Sequence, residues 1–231
     1  MDMGSCIHPP YLFRKGGAFM HLMIRPITPF CPPNISEDPL SLINGAVLLI
    51  MAVLTAVFIS LYASNVYKGN KKKAVLFFTV IAALTALSLF CFFGCAATTL
   101  KGIIFCLLLV FSSYEDIKTR ECENFVHLMI VIAAFIGTDT AALPNMLLSA
   151  LLAGGIMLIT TAATKSKLGG ADIKLSAACA FLLGTVQGMT GLMIGLILAI
   201  IINSIKNRKK KHEGFPLIPY LAVGFTAAYF M

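Results

Sequence analysis

The sequence predicts an all-α fold, a polytopic bundle of transmembrane helices, and three observations lead to this prediction. First, 58% of the 231 residues are hydrophobic and only 12% are charged, with a mean hydropathy of +0.90. Soluble domains carry about 25% charged residues, and a water-soluble chain of this length cannot bury so much apolar surface. Second, the apolar residues gather in long runs. Third, the lysines and arginines gather in alternate loops between those runs.

The apolar runs place eight spans, and six to eight crossings are compatible with the pattern. Each run is near the roughly 17–25 residues that a helix needs to cross the hydrocarbon. The spans are 41–66, 75–95, 97–113, 125–142, 146–164, 173–187, 189–205 and 215–231. Lys101 lies near one end of the third span, where a lysine is expected to snorkel to the headgroups. Glycines at 184, 188, 191 and 195 indicate close helix packing within the bundle.

The chain divides into a tail and a membrane domain. Residues 1–39 contain seven prolines and no apolar run of the kind a signal peptide requires. They are expected to form a Pro-rich, poorly ordered N-terminal tail. Residues 40–231 are expected to form a single transmembrane domain.

The distribution of basic residues predicts the sidedness of the domain. Loops 68–73, 114–124, 165–172 and 206–214, with Lys174 just beyond, hold 14 of the 18 lysines and arginines. Eight spans put these loops on one face, which the positive-inside rule makes cytoplasmic. The pattern therefore predicts a multi-pass protein of the cytoplasmic membrane. Its basic residues are expected to contact membrane lipids rather than nucleic acid.

Two aspartates on that face are the strongest candidates for chemistry. Asp172 follows Lys-Leu-Gly-Gly-Ala and opens the sixth span, where an acid is costly unless it is paired, solvated or functional. The glycines Gly169 and Gly170 allow another chain to approach closely. Asp116 occupies the matching place after the third span. Structural alternatives stay open, since Asp172 would also serve as a helix N-cap and Asp116 would also pair with Lys118 or Arg120.

Two carboxyls at similar depth are suited to share one proton, because like charges at close range cannot both ionise. One would act as base on a water and the other as acid toward a peptide carbonyl. This is aspartic-protease chemistry, which needs no metal and no cofactor. The sequence has no H-E-x-x-H, C-x-x-C or G-x-S-x-G pattern that would indicate a zinc, thiol-redox or serine site.

Three stretches of the sequence resemble the type IV prepilin peptidase family, a branch of the GxGD-type membrane aspartic proteases. They are Asp116-Ile-Lys-Thr-Arg-Glu-Cys-Glu-Asn124, Leu168-Gly-Gly-Ala-Asp-Ile-Lys-Leu175 and Phe215-Pro-Leu-Ile-Pro-Tyr-Leu-Ala-Val-Gly224. The resemblance implies that 40–231 is a peptidase domain with Asp116 and Asp172 as its catalytic pair. It gives supporting places to Gly169, Gly170, Lys174, Lys118, Arg120 and Asn124.

The resemblance also implies a function. The family cleaves a short basic leader from prepilin-like or preflagellin-like precursors at the cytoplasmic membrane face, just after a glycine and before an apolar stem. We expect the leader's basic residues to meet Glu115, Glu121 or Glu123, unless these acids pair with Lys118 and Arg120. The short loop Lys68–Lys73 and the absence of C-x-x-C imply no methyltransferase activity.

The chain departs from the family pattern at two places. Ala171 stands at the second motif glycine, where a positive φ would strain it, and Cys122-Glu123 replaces the usual Ile-Pro. These departures motivate an alternative, a catalytically silent assembly or scaffold protein on the same fold. A third alternative is a small proton- or cation-coupled transporter, although its acids would be expected near the midplane. The sequence leaves the exact substrate and the oligomeric state open.

Overall fold

A computed structural model of the protein describes residues 39–66, 71–94, 97–120, 122–164, 169–206 and 216–231. These residues form eight α-helices and one turn of 3₁₀ helix, so the predicted all-α bundle is confirmed. The α-helices are α1 (Pro39–Val66), α2 (Lys71–Phe93), α3 (Ala97–Thr119), α4 (Asn124–Ala134), α5 (Leu143–Thr164), α6 (Gly170–Leu183), α7 (Thr185–Lys206) and α8 (Ile218–Tyr229), and the 3₁₀ turn is Thr140–Ala142. Residues 1–38 of the expected tail lie outside the described residues, as do loop residues 67–70, 165–168 and 207–215.

Five of the helices are long and apolar enough to cross a membrane. The candidate spans are Gly45–Asn65, Val75–Phe93, Ala97–Thr119, Thr140–Ala162 and Thr185–Ile205. Helices α4, α6 and α8 have only 11, 14 and 12 residues. At 1.5 Å per residue they are about 16–21 Å long, short of the roughly 30 Å of a hydrocarbon core. The chain is therefore a multi-pass membrane protein in which three of the eight predicted spans are shorter than expected.

Glycines with positive φ account for two of the early helix ends. After α4 the chain turns through Phe135–Gly137, where Gly137 has a φ of +63°. Helix α6 ends at Gly184, whose φ is +80°. A residue with a side chain rarely adopts this left-handed conformation, so a glycine here favours ending the helix.

The short helices α6 and α8 lie inside the bundle. Nine of the 14 residues of α6 and seven of the 12 residues of α8 are buried. Helix α3 is also largely buried, whereas α1 and α2 bury only about a fifth of their span residues. Helices α1, α2, α5 and α7 present large apolar side chains outward, among them Phe58 and Leu151. The core therefore consists of α3, α6 and α8, enclosed by helices with lipid-facing surfaces.

Glycines bring α7 and α8 into close contact. A Cβ atom added to Gly224 of α8 would lie 2.4 Å from both the carbonyl oxygen of Gly191 and the amide nitrogen of Gly195 on α7. Only glycine allows such an approach of two backbones. The prediction that the glycine pattern serves packing within the bundle is confirmed.

Lys101 does not snorkel to the headgroups, so that prediction is wrong. Its side chain is only 1% exposed, and Nζ donates to Oγ1 of Thr138 at 2.8 Å. The reason is the central position of α3, since residue 101 faces the turn after α4 instead of the membrane surface. At the same end of the bundle the Tyr229 hydroxyl of α8 donates to the carbonyl oxygen of Thr98 on α3 at 2.6 Å.

Candidate active site

Asp116 and Asp172 lie at the same end of the bundle. Helix α3 continues to Thr119, so Asp116 is in its last turns instead of the loop 114–124 where the sequence placed it. Asp172 is in the first turn of α6. The two residues are 6% and 9% exposed, and the charge of Asp116 acts on the carboxyl of Asp172. The structure thus brings together two buried carboxyls that are 56 positions apart in the sequence.

Asp116 accepts a hydrogen bond from a residue that is distant from it in the sequence. The backbone N–H of Ile218 donates to Oδ2 of Asp116 at 3.0 Å. Ile218 is the first residue of α8, where an amide has no partner within its own helix and the helix dipole favours negative charge. The start of α8 therefore positions the carboxyl of Asp116. The signal for this contact was the proline-rich run that begins at Phe215.

The two basic residues near Asp116 behave differently from each other. Lys118 places Nζ over the ring of Tyr114, 5.9 Å from its centroid. Arg120 ends the helix with a φ of +59°, and its N–H donates to the carbonyl oxygen of Asp116 at 3.0 Å. The charge of Arg120 also acts on the Asp116 carboxyl. The sequence suggested that Asp116 pairs with Lys118 or with Arg120, and among the described residues the structure supports the pairing with Arg120.

Asp172 is not the N-cap residue of α6. Gly169 holds that position, and Asp172 lies three residues later, with its N–H donating to the carbonyl oxygen of Gly169 at 3.0 Å. The carboxyl of Asp172 in turn accepts from the Gly169 backbone, as the acidic residue of a capping box does. Burial raises the pKa of Asp172 to about 6; the charge of Asp116 contributes to the rise and the Gly169 bond opposes it.

The glycine motif is compatible with the alanine at its third position. Ala171 lies within the first turn of α6, and Arg120 is the only non-glycine residue with a positive φ in the described ranges. Ala171 is therefore not strained. A Cβ atom at Gly169 would approach Oδ2 of Asp172 to an ordinary 3.6 Å, and one at Gly170 would meet nothing within 4 Å. Gly170 leaves open space beside the Asp172 segment.

Lys174 and Asn124 connect the starts of α6 and α4. Nζ of Lys174 donates to Oδ1 of Asn124 at 3.1 Å. His127, one turn further along α4, is buried near the backbone of Ala171. No role at this site was predicted for His127, which lies just inside the fourth predicted span.

The segment before α4 contains a buried acid, an exposed acid and a thiol. Glu115 is fully buried and its Oε2 accepts from the N–H of Glu123 at 3.3 Å, whereas the side chain of Glu123 is exposed. Sγ of Cys122 lies 3.1 Å from the hydroxyl of Ser112. Burial, with the nearby acids Glu115, Asp116 and Asp172, raises the pKa of Cys122 to about 11, so this thiol stays protonated. Glu121 lies outside the described residues.

The site has the character of a proton-transfer centre. It combines two buried carboxyls, one of which acts electrostatically on the other, with the N-terminus of α8. Among the residues that the structure describes, no three His, Cys, Asp or Glu side chains group as metal ligands.

Comparison with known proteins agrees with the motifs. Residues 103–204 match the model of the type IV leader peptidase family. The match confirms the resemblance of this segment to a family of leader peptidases, as its first two motifs predicted. The matched segment covers just under half of the chain and contains both aspartates, but it excludes the start of α8. No curated protein and no solved structure gives a significant match.

Proposed function

We propose that the chain is a membrane aspartic endopeptidase with Asp116 and Asp172 as its catalytic pair. It would remove the basic leader from prepilin-like or preflagellin-like precursors at the cytoplasmic face. The observation that carries the proposal is the meeting of two buried carboxyls at one end of the bundle, one of them held by the Ile218 amide. The family match supports a peptidase acting on a leader.

The environments of the two carboxyls favour different roles in the hydrolysis. Oδ2 of Asp116 is engaged by the Ile218 N–H, so Oδ1 is the oxygen suited to accept a proton from the attacking water. Asp172, whose pKa is raised to about 6, is suited to give a proton to the oxygen of the scissile carbonyl. Collapse of the tetrahedral intermediate then returns the water-derived proton to the leaving amine. The charge of Asp116 raises the pKa of Asp172, which favours the protonated form of Asp172 while Asp116 is ionised.

The basic residues at the same end support a cytoplasmic location for the site. Lys118, Arg120 and Lys174 are all exposed and lie on the segments that carry the two aspartates. At the opposite end, Lys101 is buried. The positive-inside rule therefore favours the cytoplasm for the aspartate end.

Of the acids offered for the leader, Glu123 fits that role better than Glu115. Glu123 is exposed, while Glu115 is fully buried and accepts from the backbone beside it. We propose that Glu123 attracts the lysines and arginines of the leader to the entrance of the site.

The silent-scaffold alternative is weakened by the backbone at Ala171. That alternative rests partly on the replacement of a motif glycine, but Ala171 adopts ordinary helical φ and leaves Asp172 in place. The transporter alternative requires acids near the midplane, and Asp116 and Asp172 lie at helix ends.

A cleavage assay tests the proposal. Purified protein in detergent is incubated with a precursor that carries a basic leader, a glycine and an apolar stem. We expect Asp116→Asn and Asp172→Asn each to lower kcat/KM by roughly 10²–10⁴, the usual contribution of an acid or base. Asp139→Asn is the matched control, because Asp139 is exposed and outside both motifs. Full activity of either variant would refute the catalytic pair, and absence of cleavage by the wild type would favour the scaffold alternative.

A further inference from the structure

A groove runs along the lipid-facing side of α8. This helix has 12 residues, and it packs against α3 and α7, which have 23 and 22. A short helix between two longer neighbours forms the floor of a depression. The depression has a volume of about 410 Å³ and is lined by Ile117 of α3, Leu198 and Ile202 of α7, Pro216 just before α8, and Pro219, Tyr220 and Val223 of α8.

One end of this groove is formed by residues that adjoin Asp116 and Ile218 in the sequence. Ile117 follows Asp116 in α3, and Pro216 and Pro219 flank Ile218, whose N–H donates to Asp116 Oδ2 at 3.0 Å. From there the lining extends along α8 to Val223, about one helical turn or 6 Å past Pro219. A helix lying in the groove would therefore point one terminus toward Asp116.

The residues that line the groove determine what kind of segment can bind there. None of the lining side chains is charged, and Ile117 and Val223 are 61% and 57% exposed. Pro219 and Val223 of α8 have the four-residue spacing at which an apolar helix packs on another helix. The floor is also firm, since Gly224 holds α8 against Gly191 and Gly195 of α7.

We propose that this groove, hereafter the α8 groove, binds the first turns of the substrate's apolar stem as a helix. The inference rests on the proposed function, in which cleavage occurs just before such a stem. A stem seated in the α8 groove holds the preceding peptide bond next to Asp116. The leader then extends away from the membrane toward the exposed Glu123.

Photocrosslinking tests the site without requiring catalysis. A benzophenone amino acid is placed at Val223 in the Asp116→Asn/Asp172→Asn double variant, which retains bound precursor uncleaved. We expect a crosslink to the precursor's stem from Val223 and none from Leu151, an exposed apolar position on α5. Crosslinks from Val223 only to lipid, to a second copy or within the chain would overturn the proposal.

A kinetic experiment separates this proposal from the proposed function. Val223→Trp fills the α8 groove from its exposed side, and Leu151→Trp is the matched control. For a full precursor we expect Val223→Trp to raise KM roughly tenfold at unchanged kcat, as loss of uniform binding does. A soluble peptide that carries the leader, the glycine and only the first two residues after it keeps the scissile bond but lacks the stem, and it should be cleaved equally by all three proteins. Equal KM values of wild type and Val223→Trp for the full precursor would refute stem binding in the α8 groove. If the wild type cleaves neither substrate, the proposed function is refuted, and the crosslinking result alone decides whether the groove binds the stem.

Discussion

Replacing Asp172 by asparagine should stabilise the protein while strongly lowering its activity. Burial and the charge of Asp116 raise the pKa of Asp172 from 3.8 to about 6. Each pKa unit corresponds to about 1.4 kcal/mol, so the ionised carboxyl costs the folded state about 3 kcal/mol at pH 7.5. Asparagine is neutral, nearly isosteric and still able to accept from the Gly169 backbone. The variant should therefore be more stable by up to that amount.

The sign of the effect depends on pH. Because the folded pKa lies above the unfolded one, the cost of Asp172 is absent below about pH 4, grows as the pH rises toward about 6 and is constant above it. Asp172→Asn should thus match the wild type near pH 3.5 and exceed it at pH 7.5. For a chain of this size 1 kcal/mol shifts Tm by roughly 2–4 °C, which predicts an increase of roughly 6–12 °C.

Differential scanning calorimetry in detergent micelles at the two pH values is the appropriate assay. Asp139→Asn is the control, because Asp139 is exposed and its bond to the Ala141 N–H can be made by asparagine. It should change Tm by no more than roughly 2 °C, as is usual for surface substitutions. No gain for Asp172→Asn at pH 7.5, or the same gain at both pH values, would refute the argument that this carboxyl is held in an unfavourable charged state.

Three further outcomes are expected. Gly224→Ala should lower the free energy of unfolding by about 1–3 kcal/mol through overpacking, and it should lower the cleavage rate by displacing α8. Gly155→Ala is the control and should be tolerated, because its Cβ would meet nothing within 4 Å. Equal calorimetric stability of the two variants would contradict the close α7–α8 contact. Glu123→Lys should raise KM for precursors with basic leaders and leave a neutral-leader peptide unaffected, and a uniform effect on both would argue against a leader contact. The pH profile of kcat/KM should fall above about pH 6 as the aspartate pair loses its shared proton; a flat profile to pH 9 would exclude that proton from the rate.

Much of the fold followed from the sequence because hydropathy is a local property. Every apolar run became a helix, and both motif aspartates could be named from the residues around them. Other features depend on which helices become neighbours. The amide of Ile218 reaches Asp116 across 102 positions, and nothing near Asp116 indicates it. Lys101 was misjudged for the same reason, since its position in the third span gave no sign that α3 lies at the centre of the bundle.

The lengths of the helices could not be predicted from local hydropathy either. The run 125–142 is largely apolar as far as Ile136, yet α4 ends at Ala134 before the turn at Gly137. Hydropathy indicates only that a segment prefers apolar surroundings, and the interior of a helix bundle provides them as well as lipid does. Helices enclosed by longer neighbours are therefore overestimated as full crossings.

The two contacts that join α8 to α3 have a consequence for how the site would open. Asp116 binds the first residue of α8, and Tyr229 near its other end binds Thr98, close to the start of α3. Because α8 is hydrogen-bonded to α3 near both of its ends, the two helices are expected to move as one unit. If α3 and α8 moved together relative to α6, Asp116 would keep its amide partner while its distance to Asp172 changed. The separation of the two carboxyls would then report on the position of α3 and α8 relative to α6.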